Sequence, residues 1–188
     1  MPGAFYAPLI DGPAPAAFFD ASRGFDEFDA FLADKGLWAA FHLENLVLHG
    51  SPDIDSANGS RHVLLAADQG VHFESTPGEG ESYFGYLYLD SWVDSFHLLS
   101  NHGDVTVDPG FTVDAPTQDV IFQTVGPDAD VAIYGEVYSS DTTGSFRAHA
   151  GRDVLLSNGT VTAPQVHLHA DRDVSLDGQS RVAASQLI

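Results

Sequence analysis

Short alternations of apolar and polar residues recur along the second half of the chain. Residues 165–170 read QVHLHA, 173–178 read DVSLDG and 180–185 read SRVAAS. Alternation over so few residues marks half-buried strands, because successive side chains point to opposite faces. On this reading Val166, Leu168 and Ala170 face inward, followed by Val174 and Leu176, then Val182 and Ala184. Three such strands with bends between them make one triangular coil. The preceding stretch repeats the pattern, with SFRAHA over 145–150, DVLLS over 153–157 and GTVTAP over 159–164. Asp153 and Asp173 fall at equivalent places about 20 residues apart, a spacing typical of solenoid repeats.

Earlier copies are more widely spaced. Asp130 opens DVAIYG, Asp104 opens DVTVD, residues 62–73 read HVLLAADQGVHF, and 41–50 (FHLENLVLHG) read as a first coil. The lengthening spacing implies loop insertions in these coils. The predicted fold is all-β, a right-handed parallel β-helix (β-solenoid) of roughly six coils over 41–188. Strands ~4.8 Å apart would give such a stack a length of roughly 25–30 Å. One coil has no way to bury its inner face alone, whereas stacked coils share one apolar column. Asn158-Gly159 and Asp177-Gly178 supply bends.

Residues 1–40 read as an N-terminal cap or docking segment. Phe25, Phe28, Phe31 and Leu32 share one face of a short amphipathic helix predicted over 25–37, with Gly36 as its stop. A cap covers the open strand edges of a first coil; the rival role is an arm, through the leading PGAFYAPLI and Phe18-Phe19, that reaches a neighbour. The last residues, SRVAASQLI, stay strand-like to the end, so stacking on another copy or on flanking segments of a longer chain is expected.

The stretch 150–184, AGRDVLLSNGTVTAPQVHLHADRDVSLDGQSRVAA, resembles the haemagglutinin-type repeats of large bacterial adhesins, the filamentous haemagglutinin family. The resemblance is clearest over 145–185 and looser back to about His62. It implies a right-handed parallel β-helix shaft, secreted or held at the cell surface, that displays adhesive loops. The Asn-Pro-Asn-Gly-type motif of that family's secretion domain is absent from the sequence. No signal peptide is read at the N-terminus, which has neither a basic region nor an apolar run.

Charge narrows the range of partners. Seven Lys and Arg stand against 27 Asp and Glu, for a formal net charge of −20 and a pI near 4.3. Nucleic acid and anionic membrane are therefore poor partners, and no stretch is apolar and long enough to insert in a bilayer. The lack of Cys excludes disulfides, thiol catalysis and Cys-ligated metals.

The candidate ligand-binding residues are aromatic. Tyr83, Phe84, Tyr86, Tyr88 and Trp92 lie in an aromatic-rich insertion near 77–96 and would offer a glycan-stacking platform. The competing reading packs these rings on the solenoid flank or in an extra hairpin. The recurring Asp104, Asp130, Asp153 and Asp173 offer stacked carboxylates to calcium, but each sits where a turn enters a strand, and turn capping explains it without metal. Residues 53–59 (DIDSANG) resemble a calcium loop without its spacing. His149 and His169 are equivalent outward positions. Two imidazoles without a third ligand make a poor metal site, so they read as stacked surface rings.

No catalytic, cofactor or metal residues are assigned, and no Gly-x-Ser-x-Gly or Walker loop is present. The sequence therefore points to a non-catalytic structural or adhesive module of a bacterial surface or secreted protein. The alternatives are a head-to-tail filament subunit and a carbohydrate-active β-helix enzyme, which would need two acids converging in a groove.

Overall fold

A computed structural model describes residues 4–7, 16–20, 37–42, 44–49, 62–77, 83–89, 93–115, 119–139 and 142–187. All regular elements among them are strands. β1 (Ala4–Ala7) and β2 (Ala16–Asp20) pair antiparallel, Phe5 opposite Phe19. The sequence reading gave this region no strands; the short aromatic runs between Pro and Gly suit a hairpin. The helix expected over 25–37 lies outside the described residues, except that Leu37 opens a strand.

The rest is a β-solenoid. β3 (Leu37–His42) and β4 (Asn45–His49) form a partial first coil. It begins at Leu37 rather than Phe41. About five full coils follow. The first comprises β5 (His62–Ala67), β6 (Gly70–Glu74), β7 (Thr76–Pro77) and β8 (Tyr83–Tyr88). The second comprises β9 (Ser95–Ser100), β10 (Val105–Val107) and β11 (Phe111–Asp114). The third comprises β12 (Asp119–Thr124), β13 (Val131–Ile133) and β14 (Glu136–Tyr138). The fourth comprises β15 (Ser145–Ala150), β16 (Asp153–Leu156) and β17 (Thr160–Thr162). The fifth comprises β18 (Gln165–Ala170), β19 (Asp173–Leu176) and β20 (Arg181–Ala183), and β21 (Gln186–Leu187) starts another turn.

Stacking yields three sheets. Sheet one runs β3-β5-β9-β12-β15-β18-β21, sheet two β4-β6-β10-β13-β16-β19, and sheet three β7-β8-β11-β14-β17-β20. All neighbours are parallel except β7 and β8. Asp153 pairs with Asp173, the register predicted from the repeat.

The core is a set of vertical columns. In sheet one, Val63, Phe96, Val120, Phe146 and Val166 stack in one column, and Leu65, Leu98, Phe122, Ala148 and Leu168 in the next. Bulk alternates between them: β12 carries Val120 with Phe122, β15 carries Phe146 with Ala148. In these two coils a large ring in one column faces a smaller side chain in the next, which lets the layers interdigitate. Phe122 and Phe146 meet edge to face, with centroids 5.2 Å apart at 82°.

The bend at Asn158 requires left-handed backbone, φ 55°, which Asn tolerates better than most residues. Gly159 follows where a Cβ would lie 2.3 Å from the Ile133 carbonyl oxygen. The coil above secures this bend. Ser157 Oγ donates to Asp177 Oδ2 at 2.8 Å and the Asn158 amide at 3.1 Å. Together with Ser180 these donors hold the Asp177 carboxyl well below the usual carboxylate range.

Candidate functional site

The aromatic stretch read as an insertion contains a rung of the solenoid. β8 pairs in parallel with β11, Tyr86 opposite Thr112 and Tyr88 opposite Asp114. Strand alternation then sorts its side chains. Gly85 and Leu87 are buried, whereas Phe84, Tyr86 and Tyr88 are 53%, 42% and 50% exposed. Residues two apart on a strand are roughly 6.6–7 Å apart, so these three rings form an outward row on a fixed backbone. Tyr83 begins the same strand, and Trp92 lies outside the described residues.

Neighbouring coils add polar groups to this face. Thr112 is followed upward by Glu136 and Thr160, and Asp114 by Tyr138 and Thr162. Tyr86 Oη donates to Asp114 Oδ2 at 2.9 Å, and Tyr138 Oη donates to Glu136 Oε2 at 3.0 Å. The bond to Asp114 raises the Tyr86 pKa; burial, then the bond to Glu136, raises that of Tyr138. Both phenols therefore stay neutral donors. Sequence reasoning found the rings but missed Asp114, Glu136 and Tyr138. Coil spacing carried that signal: 112, 136 and 160 share one column.

The Asp column is structural. Asp130 Oδ1 accepts the backbone amide of Asp153 at 3.1 Å, and Asp153 Oδ1 accepts that of Asp173 at 3.2 Å. Asp104 Oδ1 accepts the amide of Asp130 at 2.8 Å. Arg152 forks onto Asp130, and Arg172 forks onto Asp153, each from the coil above. The guanidinium of Arg172 lowers the Asp153 pKa. The carboxylates offered to calcium are thus engaged by arginine and backbone. The loop at 53–59 lies outside the described residues.

A third cluster lies on the outer face of sheet one. His149 and His169 are cross-strand partners with ring centroids 4.6 Å apart at 57°, as their equivalence predicts. Burial, then the neighbouring His169, lowers the His149 pKa. A cavity of about 200 Å³ is lined by His97, Gln123, Arg147, His149, His167 and His169. His97 is 2% exposed, and neither ring nitrogen has a hydrogen-bond partner. Burial pushes its pKa down to about 4; the side chain of Gln123 opposes this more weakly, without reaching bonding geometry.

An open cleft of about 530 Å³ beside β6 is lined by Glu74, Ser75, Asp108, Pro109 and Gly110. Its acid Glu74 is paired with His49 at 3.0 Å.

Comparison with protein-family models, curated proteins and solved structures finds no match to this chain.

Proposed function

We propose that the chain is a non-catalytic adhesive module whose β-solenoid displays the outer face of sheet three to glycans. The supporting observation is the row of Phe84, Tyr86 and Tyr88 held exposed on one strand beside Asp114 and Glu136. Sugar rings present C–H faces that stack on flat aromatic surface, and hydroxyls that donate to carboxylates and phenolic oxygens. A strand within a stacked sheet holds these groups in place, so little conformational entropy is lost on binding. The net charge of −20 favours neutral over acidic glycans. A place on a bacterial surface, or in a secreted protein, is what the haemagglutinin-type resemblance supports.

The test is binding of the purified chain to immobilised neutral oligosaccharides, with acidic ones for comparison. The Tyr86→Ala/Tyr88→Ala double variant is expected to lose binding, while Arg147→Ala, on another sheet, retains it. Equal binding by the double variant and the parent chain would remove the reading.

A second reading is stacking of copies end to end. Val174 and Leu176, inward by register, are 44% and 45% exposed on the fifth full coil. Another coil, from this chain or a second copy, would cover them. Light scattering over a range of concentrations tests this reading: mass growth abolished by Leu176→Asp supports it, and constant mass refutes it.

A further inference from the structure

We propose that His149, His169 and Asp171 bind one divalent transition-metal ion of the zinc type on the outer face of sheet one. The ladder brings the ligands together. His149 and His169 occupy paired positions on adjacent strands, and Asp171 follows at the corner leaving β18. One ligand atom from each of the three lies within 4.8 Å of the others. His169 Nε2 is 3.7 Å from Asp171 Oδ1. Ligands around tetrahedral zinc, at about 2.0–2.1 Å from the metal, stand roughly 3.3 Å from one another. Small rotations of exposed side chains close that gap, and the tilted rings leave their nitrogens free to converge.

The donor set selects the metal. Two imidazoles and one carboxylate suit zinc, nickel, cobalt or copper, whereas calcium and magnesium prefer oxygen throughout. Three protein ligands leave at least one position for water or another ligand.

The cavity beside these ligands is itself lined mostly by polar side chains. His97 is 2% exposed with both ring nitrogens unpartnered, and it lines the cavity that His149, His167 and His169 also line. Buried polar atoms without partners are rare in folded proteins. His97 stands two strands below His149 in the ladder, so the partner it lacks is one that a water held in the cavity would supply, and the ion rests on the His149, His169 and Asp171 geometry. Arg147, also on this lining, is drawn toward Asp119 at 3.4 Å, which offsets its charge. Asp130 and Asp153 are engaged by Arg152 and Arg172, so they do not compete for a bound ion.

The experiment is calorimetric titration of Zn²⁺ into the metal-free full chain near neutral pH, with Co²⁺ absorption as a geometric readout. One ion per chain is expected, with an intense visible Co²⁺ band and changed ring-proton shifts for His149 and His169. His149→Ala, His169→Ala and Asp171→Asn are each expected to weaken binding at least about tenfold, and excess Ca²⁺ is expected not to displace the ion. All three positions are exposed, and far-UV circular dichroism verifies that each variant folds. Zn²⁺ binding unchanged in His149→Ala/His169→Ala, displacement by Ca²⁺, or the absence of saturable binding would each overturn the proposal.

Discussion

Arg152 Nε donates to Asp130 Oδ1 at 2.7 Å across the step from one coil to the next. The same oxygen accepts the backbone amide of Asp153, so one carboxylate fixes both the side chain and the main chain of the coil above. Arg172 and Asp173 repeat the arrangement on Asp153. The acid is the more deeply set partner: Asp130 and Asp153 side chains are each 8% exposed, against 34% for Arg152 and 61% for Arg172.

Removing the acid should therefore cost more than removing the arginine. Asp130→Ala strips partners from a guanidinium and an amide at once, whereas Arg152→Ala removes the guanidinium alone and leaves Asp130 the amide of Asp153. Thermal melts are expected to rank Asp130→Ala below Arg152→Ala, and Asp153→Ala below Arg172→Ala. The Asp153 pKa is depressed by Arg172. Its contribution is thus present above the ordinary carboxylate range and lost as pH falls through the lower, folded value. Raised salt should weaken the more exposed Arg172 fork more than that of Arg152.

The Phe122–Phe146 pair fills the core where the third and fourth coils meet. Both rings are fully buried, so Phe122→Ala and Phe146→Ala are each expected to cost about 3–5 kcal/mol in urea unfolding. Their edge-to-face contact adds about 0.5–1.5 kcal/mol of coupling, measurable in a double-mutant cycle. Additive effects would show that the rings act only through the space they fill.

The coils easiest to read in the sequence are those with short turns and one solvated face. Residues 145–185 alternate cleanly, and the register of Asp153 with Asp173 follows from them. In β5 and β9 the outward positions are buried as well, and mostly apolar: Leu64, Ala66, His97 and Leu99 are all 5% exposed or less. A strand covered on both faces loses its two-residue period, so HVLLAA and SFHLLS read as plain apolar runs. β8 was obscured differently. Its exposed positions carry the large rings Phe84, Tyr86 and Tyr88 while Gly85 is one of its buried positions, so side-chain bulk did not mark its inward face. The arginines of the ladder were legible in principle, since Arg-Asp recurs at 152–153 and 172–173, but only coil geometry shows that each arginine reaches down one coil.

Gly103 and Gly178 should respond oppositely to the same substitution. A Cβ at Gly103 would lie 1.3 Å from the Gln69 carbonyl oxygen, a backbone atom of the coil below. The coils would have to separate there, so Gly103→Ala is expected to cost about 3 kcal/mol or more. At Gly178 a Cβ meets nothing within 4 Å. Gly178→Ala is expected to be neutral or to stabilise by up to about 1 kcal/mol, through a less flexible unfolded chain. Chemical denaturation of the two variants checks the contrast, and similar losses would refute it.

His97 makes stability depend on pH in a window set by its own titration. Its folded pKa is pushed to about 4 by burial, against about 6.5 for a free imidazole. Between those values the unfolded chain binds a proton that the folded chain does not, so stability falls as pH falls. At about 1.4 kcal/mol per pKa unit, the loss attributable to this ring between pH 7 and pH 4 is about 3 kcal/mol. The groups around it are Gln123, Arg147, His149, His167 and His169 on the cavity wall. The last three rings are less buried and remain in place in a His97→Leu variant, so whatever they add is common to both chains. Urea unfolding of the metal-free chain and of His97→Leu across this range isolates the effect. The parent chain should lose about 3 kcal/mol more than the variant, all of it below pH 7. Parallel stability curves would mean that water reaches the ring in solution and that burial does not govern its proton.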